Sequence, residues 1–441
     1  MTQPVSAPAR TIAALATPPG RAGIAVIRLS GPDSAAALSA LCGGTLPPPR
    51  MARFSQWRHP HTQTLLDSGL SLWFPAPRSF TGEDIAEFHC HGSPATIRAM
   101  LEALLSLPGI RMAEAGEFTR RAFLHGQMDL LEAEALADLL NAQTESQRLQ
   151  ALRAMGGETS KRLDSWRETI GDCLALLEAY IDFPDEDIPE STQQEVACLL
   201  GAITAAVDAE LQSPPVGERI RSGVVIAIIG APNVGKSSLM NSLAKREVAI
   251  VSDIPGTTRD TIELELDIGG TLVTLIDTAG LRDSDDQIER EGIRRARQKA
   301  DSADALILMR DHKSPYPPLE PVAGRTIIHL RNKADLAPAS SDELGVSLLK
   351  GTGLDALHDR LSSIARELTS SVHPPLITQV RHRNLLEEMS EHLHRSSQPA
   401  KPLELRCEDI RLAAEAIGKI TGNISVDETL GKIFGRFCIG K

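Results

Sequence analysis

Residues Gly230-Ala-Pro-Asn-Val-Gly235-Lys236-Ser237 fit the pattern G-x-x-x-x-G-K-[ST]. Glycines in this pattern let backbone N–H groups curl around phosphate oxygens, and the helix that follows adds its positive dipole end. Lys236 is placed for the β- and γ-phosphates and the Ser237 hydroxyl for Mg²⁺, while Asn233, Val234, Gly235 and Ser238 complete the wall of the loop. Three further elements follow in order. Asp277-Thr278-Ala279-Gly280 offers a carboxylate to the magnesium shell and an amide to the γ-phosphate. Thr258, within Gly256-Thr257-Thr258-Arg259-Asp260, is placed as a switch threonine on Mg²⁺. Asn332-Lys333-Ala334-Asp335 brings a carboxylate that can accept hydrogen bonds from guanine N1–H and its exocyclic amine. Adenine lacks that donor pair, so a carboxylate there selects GTP over ATP. Each tag alone is weak. All four, in order over about a hundred residues, point to a GTPase.

The acceleration of hydrolysis is less plain. A glutamine just after the D-x-x-G glycine orients water in some small GTPases, but Leu281 stands there. Asn233 sits inside the phosphate loop, where its amide oxygen can help ligate a monovalent cation, and Ser252-Asp253-Ile254-Pro255-Gly256-Thr257-Thr258 has carbonyls to complete the set. A K⁺ there would neutralise transition-state charge as an arginine finger does. Glu289 can orient water indirectly as an acid/base. The plainer alternatives are a turn asparagine and a solvated glutamate at a helix start.

These residues need strands to carry them. Val224–Ile229 is an apolar run just before the phosphate loop, and Leu272–Ile276, Ala305–Met309 and Thr326–Leu330 read as further strands alternating with helical segments. That alternation predicts a mostly parallel sheet with helices on both faces. Ser213-Pro-Pro-Val-Gly217 reads as a linker before it. Residues 1 to about 125 mix short strands, such as Ile24–Leu29 and Leu70–Phe74, with a helix over Ser93–Leu107 that has Pro94 in its first turn. From Met128 to Asp182 the pattern is helical, with Gly156-Gly157 its one obvious interruption; a second helical stretch runs to Gln212, and the tail from Arg381 is helical again. The helices on either side suggest one bundle with the α/β domain inserted in an exposed loop.

The 441 residues carry a net charge of −12, which disfavours a simple electrostatic nucleic-acid binder, and 3% aromatics leave few rings for stacking. The six cysteines form no C-x-x-C pair and read as reduced thiols, and no segment reads as a secretory signal or a membrane span. The expectation is a soluble cytoplasmic protein. His89-Cys90-His91 suggests a metal at first sight, but adjacent strand side chains face opposite ways, so a zinc site is not expected.

With its flanks, the chain resembles the MnmE (TrmE) tRNA modification GTPases almost end to end. The motifs that carry this are Ala16–Arg21, Ser79-Phe-Thr-Gly-Glu-Asp84, Gly116-Glu-Phe-Thr-Arg-Arg-Ala-Phe123, Ile181–Asp187, Gly256–Asp260 and the terminal Cys438-Ile-Gly-Lys441. The resemblance implies a multidomain α/β plus all-α fold. Residues 1–125 would form an α/β folate-binding and dimerisation domain, 126–215 and 373–441 a helical domain, and 216–372 an inserted Ras-like P-loop GTPase domain. It further implies a homodimer working with an MnmG (GidA)-type FAD-dependent partner as a heterotetramer. Together they would place an aminomethyl or carboxymethylaminomethyl group on C5 of the wobble uridine of certain tRNAs, with a 5-formyl- or 5,10-methylene-tetrahydrofolate as one-carbon donor. In the family pattern Asn233, Ser252, Ile254 and Thr257 fall on K⁺ positions, Ser237 and Thr258 on Mg²⁺ positions, and Glu289 on the catalytic-acid position. Arg28, Glu87 and Lys441 match folate-binding positions, and Gln127 stands where the family often has lysine. Cys438, in the terminal motif, offers a thiolate that could act as a nucleophile toward C6 of uracil. On residue type alone, Arg28 reads as an ion-pair partner on a strand and Cys438 as a small buried thiol. Ser347-Leu-Leu replaces the usual Ser-Ala of the guanine-stacking loop. The competing reading is a regulatory GTPase switch, such as a ribosome-assembly factor, without modification chemistry.

Overall fold

A computed structural model describes residues 10–182, 190–246, 248–249, 263–277, 303–316, 325–371, 375–424, 427–435, 437 and 440. The chain divides into two compact units, Met1–Ala137 with Gly418–Lys441, and Asp138–Ile417.

The first unit is built on strands β1 (Thr11–Leu15), β2 (Ala22–Ser30), β3 (Arg53–Arg58), β4 (Leu65–Phe74), β5 (Ile85–Gly92) and β6 (Ile110–Met112), with α1 (Ser34–Leu41), α2 (Pro94–Leu105) and α3 (Glu117–Leu124). Sheet order is β3-β4-β5-β2-β1-β6; all neighbours are antiparallel except β1 and β6. Alternate residues of β2, Ala25, Ile27 and Leu29, point into a core with Trp57, Phe88, Met100 and Leu104, as a half-buried sheet demands. The Ser93 hydroxyl accepts from the Thr96 amide and Pro94 opens α2, so the helix start anticipated there is observed. α4 (Leu130–Leu140) follows α3.

The second unit opens with α5 (Glu145–Met155), α6 (Glu158–Asp182), α7 (Glu190–Gln212) and α8 (Val216–Ser222). Two expectations need correction here. The helical stretch from Met128 breaks at Asn141–Gln143 as well as at the glycine pair. Thr144 and Gln147 form a reciprocal capping box that starts α5 afresh. The linker is also shorter than expected, because α8 begins at Val216. Gly217 is buried, and a Cβ there would lie 2.3 Å from the Ile377 carbonyl. Pro215 therefore precedes a helix rather than loosening the chain.

Beyond α8 run β7 (Val224–Gly230), α9 (Lys236–Arg246), β8 (Val248–Ala249), β9 (Glu263–Ile268), β10 (Thr271–Asp277), β11 (Ala305–Arg310), β12 (Thr326–Arg331), β13 (Leu344–Gly345) and α10 (Leu354–Thr369). Their sheet has the order β13-β12-β11-β7-β10-β9-β8. The five strands from β13 to β10 are parallel, and β9 and β8 join antiparallel. The four expected strands are thus observed. β7 and β10 are buried almost throughout, which is why they read as near-continuous apolar runs. α10 covers the sheet with Leu354, Leu357, Leu361 and Ile364, a helical period of apolar residues.

α11 (Val380–Ser396) packs on α7, where Asp208 accepts from Ser390 Oγ at 2.6 Å and pairs with His394 at 2.8 Å. α12 (Leu403–Thr421) returns the chain to the first unit, where α13 (Asp427–Phe434) packs Leu430, Ile433 and Phe434 against Leu130 and Ala133 of α4. No single helix among the described residues is long and apolar enough to cross a membrane.

Candidate functional site

β7 lies between β10 on one side and β11 on the other, so the chain order reverses at its carboxyl end. Parallel strands all end on one edge of a sheet, and the crevice at such a reversal is where α/β sheets bind ligands. The four strand ends place the motifs there. β7 runs into the phosphate loop, β10 ends in Asp277, β11 is followed by Asp311 and β12 by Asn332. Residues about a hundred positions apart meet because register aligns these ends: Asp277 with Ile228, Met309 with Gly230, and Arg310 with Arg331.

The loop itself turns on two left-handed residues, Asn233 at φ +66° and Gly235 at φ +106°. Gly235 is required on two counts. Its φ suits glycine, and a Cβ would fall 2.4 Å from Asn332 Nδ2. That amide donates to the Val234 carbonyl at 2.8 Å, while Asn332 Oδ1 accepts from the Lys333 amide at 2.8 Å. One buried asparagine thus ties the phosphate loop to the N-K-x-D segment. Lys236 is buried, with its ammonium 2.7 Å from the Gly230 carbonyl and 3.2 Å from that of Ala231. Val234 is buried, whereas Asn233, Ser237 and Ser238 are exposed. Ser237 Oγ donates to Asp277 Oδ2 at 2.9 Å. A hydroxyl beside a carboxylate at the mouth of a cationic loop is the all-oxygen donor set a hard divalent ion takes, so these two residues fit Mg²⁺.

The N-K-x-D segment is held from both sides. The Ala334 amide donates to the Val346 carbonyl at 3.0 Å. Lys333, at φ +59°, places its ammonium 2.6 Å from Asp311 Oδ2. Asp311 also accepts from the Ser314 hydroxyl and the Lys313 and Ser314 amides. The Lys333 hydrogen bond, followed by that of Ser314, holds the Asp311 carboxyl far below the usual carboxylate range. Asp335 is exposed at the mouth, and a hydrogen bond with Ser347 is the main reason its pKa lies below the ordinary value. Sequence reasoning left Asp311 and Ser347 out of the site. The clue for Asp311 was its position just past a parallel strand, where β10 also ends in aspartate.

Among the first-unit candidates, Arg28 and Glu87 are cross-strand partners, and Arg28 Nε donates to Glu87 Oε1 at 2.9 Å. The Arg28 guanidinium lies 5.7 Å from the Phe80 ring centre and 5.9 Å from that of Phe118. Gln127 is exposed beside Gly82, where a Cβ would sit 3.2 Å from its Nε2. The Ser79–Asp84 loop therefore touches both Arg28 and Gln127. The rest of that motif forms a buried charge network. Arg121 donates to both oxygens of Glu83, at 3.2 and 2.9 Å, and to Glu117 at 2.9 Å. Arg111 grips Glu117 from the other side, and Ser30 Oγ donates to Glu83 at 2.7 Å. Burial pushes the Glu117 pKa up, but hydrogen bonds from Arg111, the Glu114 amide and Arg121 outweigh it and leave it lowered. His89 pairs with Glu87 and His91 with Asp67, each a ring-to-carboxylate contact. Ser252, Asp253, Ile254, Pro255, Gly256, Thr257, Thr258, Thr278, Ala279, Gly280, Glu289, Cys438 and Lys441 lie outside the described residues.

A parallel sheet with a glycine-bounded loop and helix at its switch point, tied by Asn332 to an N-K-x-D segment, defines the class as a P-loop GTPase. Family models extend this across the chain. The MnmE helical domain matches residues 130–438, and the N-terminus of GTP-binding protein TrmE matches residues 11–127. The chain is 49% identical over 435 residues to the tRNA modification GTPase MnmE of Gluconacetobacter diazotrophicus, covering 98% of each. It is 47% identical over 453 residues to that of Rhodospirillum rubrum, covering 98% of this chain and 99% of that one. Over 32% of its length it also matches the G domain of the T. maritima FeoB iron transporter, at 25% identity, with 98% of that chain covered and a TM-score of 0.24. The chain belongs to the MnmE (TrmE) family of tRNA modification GTPases.

Proposed function

We propose that this chain hydrolyses GTP to drive modification of the wobble uridine of tRNA. The observation that supports the reading is the Asn332 bridge, which ties the G-x-x-x-x-G-K-S loop to the N-K-x-D segment that carries Asp335. In this reading the loop amides and Lys236 grip the triphosphate and Asp335 reads the guanine edge. Asn233, Val234, Gly235, Ser238, Lys333 and Ala334 shape the walls around them. Ser237 and Asp277, with Thr258, would hold Mg²⁺. Asn233, with Ser252, Ile254 and Thr257, would hold K⁺. When bound, these cations supply positive charge against the phosphate oxygens. Glu289 serves as the acid/base that orients water, since Leu281 has no polar group to do so.

The same reading assigns Arg28, Glu87, Gln127 and Lys441 to a tetrahydrofolate derivative and Cys438 to the uridine. It places the chain in the cytoplasm as a homodimer, with an MnmG (GidA)-type flavoprotein as partner. Its domains are 1–125, 126–215 with 373–441, and 216–372. The close match to the relatives over both ends of the chain favours it over a bare regulatory switch. Two measurements test it. Hydrolysis is expected to run faster in K⁺ than in Na⁺ buffer, and equal rates reject the cation assignment. Total tRNA from cells lacking the gene is expected to lose its C5-modified wobble uridine; an unchanged nucleoside profile rejects modification as the function.

A further inference from the structure

We propose that the outer edge of the first unit's sheet, from Arg50 along β3 to His59 with Arg78 beside it, docks the phosphate backbone of tRNA; this rests on the tRNA reading above. In a chain of net charge −12, the run Ser34–Leu66 contains no Asp or Glu but carries Arg50, Arg53 and Arg58. The next carboxylate, Asp67, is taken up by the His91 amide and ring, both at 2.8 Å. Beyond Arg78, the next is Glu83, which Arg121 holds.

Many arginines elsewhere face carboxylates, as in Arg28–Glu87, Arg219–Asp304, Arg221–Asp138 and Arg383–Glu218. The edge arginines do not. Among the described residues, Arg50 donates to the Arg78 carbonyl and Arg58 to the Gln63 carbonyl, and none of the four is paired with an acid. All four are exposed. Their charge therefore stands uncompensated at the surface, a local inversion of the overall field that attracts a polyanion.

The geometry suits an extended backbone. β3 is the outermost strand of its sheet, and among the described residues no strand pairs with its free side. Arg53 to Arg58 spans about 17 Å at roughly 3.3 Å per residue. A nucleic-acid strand in a helix carries one phosphate per about 3.4 Å of axis, so a backbone lying along the edge passes several phosphates, with Arg53 reaching it from one face of the strand and Arg58 from the other. Guanidinium forks match phosphate oxygens in pairs. Phe54 shares the face of Arg58, opposite that of Arg53, and has 67% of its surface exposed, a ring available to a base face. A strand edge of separate arginines favours RNA over an anionic bilayer, which takes an amphipathic helix with a continuous apolar face.

The test uses the full chain and an in vitro transcribed tRNA with an unmodified wobble uridine. Its dissociation constant is measured by fluorescence anisotropy across a KCl series. Replacing Arg53, Arg58 and Arg78 together by Gln is expected to lower the slope of log Kd against log [KCl] by about 2–3, and to weaken binding at least about 10-fold at 0.1 M. The triple Lys variant keeps the slope. Phe54→Ala weakens binding by about 5-fold or more at an unchanged slope. A wild-type urea transition of the first unit, followed through Trp57 and Trp73 with Trp166 replaced by Phe, shows that each variant is folded. Wild-type Kd and slope in the triple Gln variant overturn this surface and leave the modification reading standing; a wild-type protein that binds no tRNA overturns both. If the variant loses only binding to phosphatidylserine vesicles, the edge serves a membrane and the proposal is wrong.

Discussion

Gly235 and Asn332 compete for one small volume, and a double-mutant cycle can measure that competition. A methyl at Gly235 would meet Asn332 Nδ2 at 2.4 Å, while its next neighbours, Leu348 Cδ1 at 3.5 Å and Met309 Cε at 3.6 Å, are ordinary contacts. Gly235→Ala must therefore expel the Asn332 amide and break its 2.8 Å bond to the buried Val234 residue's carbonyl. Leaving such groups unpaired costs about 1–3 kcal/mol. The φ of +106° adds about 1–3 kcal/mol for an L side chain. Asn332→Ala alone loses the same bond, and also the one from the Lys333 amide. In the double variant the collision is gone and the shared bond is lost only once. The two effects should then fall short of additivity by about 1–3 kcal/mol, roughly 5- to 150-fold in GTP affinity. Calorimetric titration of GTP with Mg²⁺ into the four proteins reads this directly. Additive losses, within about 0.5 kcal/mol, would refute the bridge between loop and base-reading segment.

Asp335→Asn replaces an acceptor by an amide, so GTP affinity should fall about 10- to 100-fold while xanthosine triphosphate gains; unchanged GTP affinity would remove Asp335 from base recognition. Glu289→Ala should lower turnover more than GTP affinity, and the reverse pattern would make it a binding residue. Arg121→Leu leaves Glu83 without its arginine and should cost the first unit about 3–5 kcal/mol, followed in urea through Trp57 and Trp73 with Trp166 replaced by Phe. Glu117 is lowered from 4.5, so its share of that loss is full above this pH and fades as pH falls through the folded-state value; a pH-independent difference would contradict the network.

Local rules made the phosphate loop, the strands beneath it and the Ser93 cap legible, because each is set by residues within one turn or one strand. The start of α5 was equally local: Thr144-Glu-Ser-Gln147 is a capping signature, obscured by the continuous Leu and Ala pattern around it. α8 was obscured by Pro214 and Pro215, which signal a break but also sit well at a helix entrance. What sequence could not supply were pairs closed only by topology. Lys333 finds Asp311 across neighbouring strand ends, and Arg121 finds Glu83 from a different element altogether. Neither spacing has a period that sequence reading can detect.

The same distinction separates architecture from candidate chemistry within the first unit. Arg121 spends its donors on both oxygens of Glu83, on Glu117 and on the Arg10 and Ser30 carbonyls. With both terminal nitrogens so engaged and a side chain only 11% exposed, the guanidinium has no terminal fork left to offer a ligand. Its motif neighbours instead fix the loop that lays Phe80 on Arg28. Arg28 differs in kind. Only its Nε is engaged, with Glu87, and among the described residues its two terminal nitrogens make no hydrogen bond. An ion pair through Nε orients the guanidinium plane and leaves the outer edge open, the edge that takes a carboxylate or a ring carbonyl in bidentate fashion. The structural reading of Arg28 and the ligand reading are therefore compatible, since the pair with Glu87 supplies the preorganisation that a binding arginine on a strand requires.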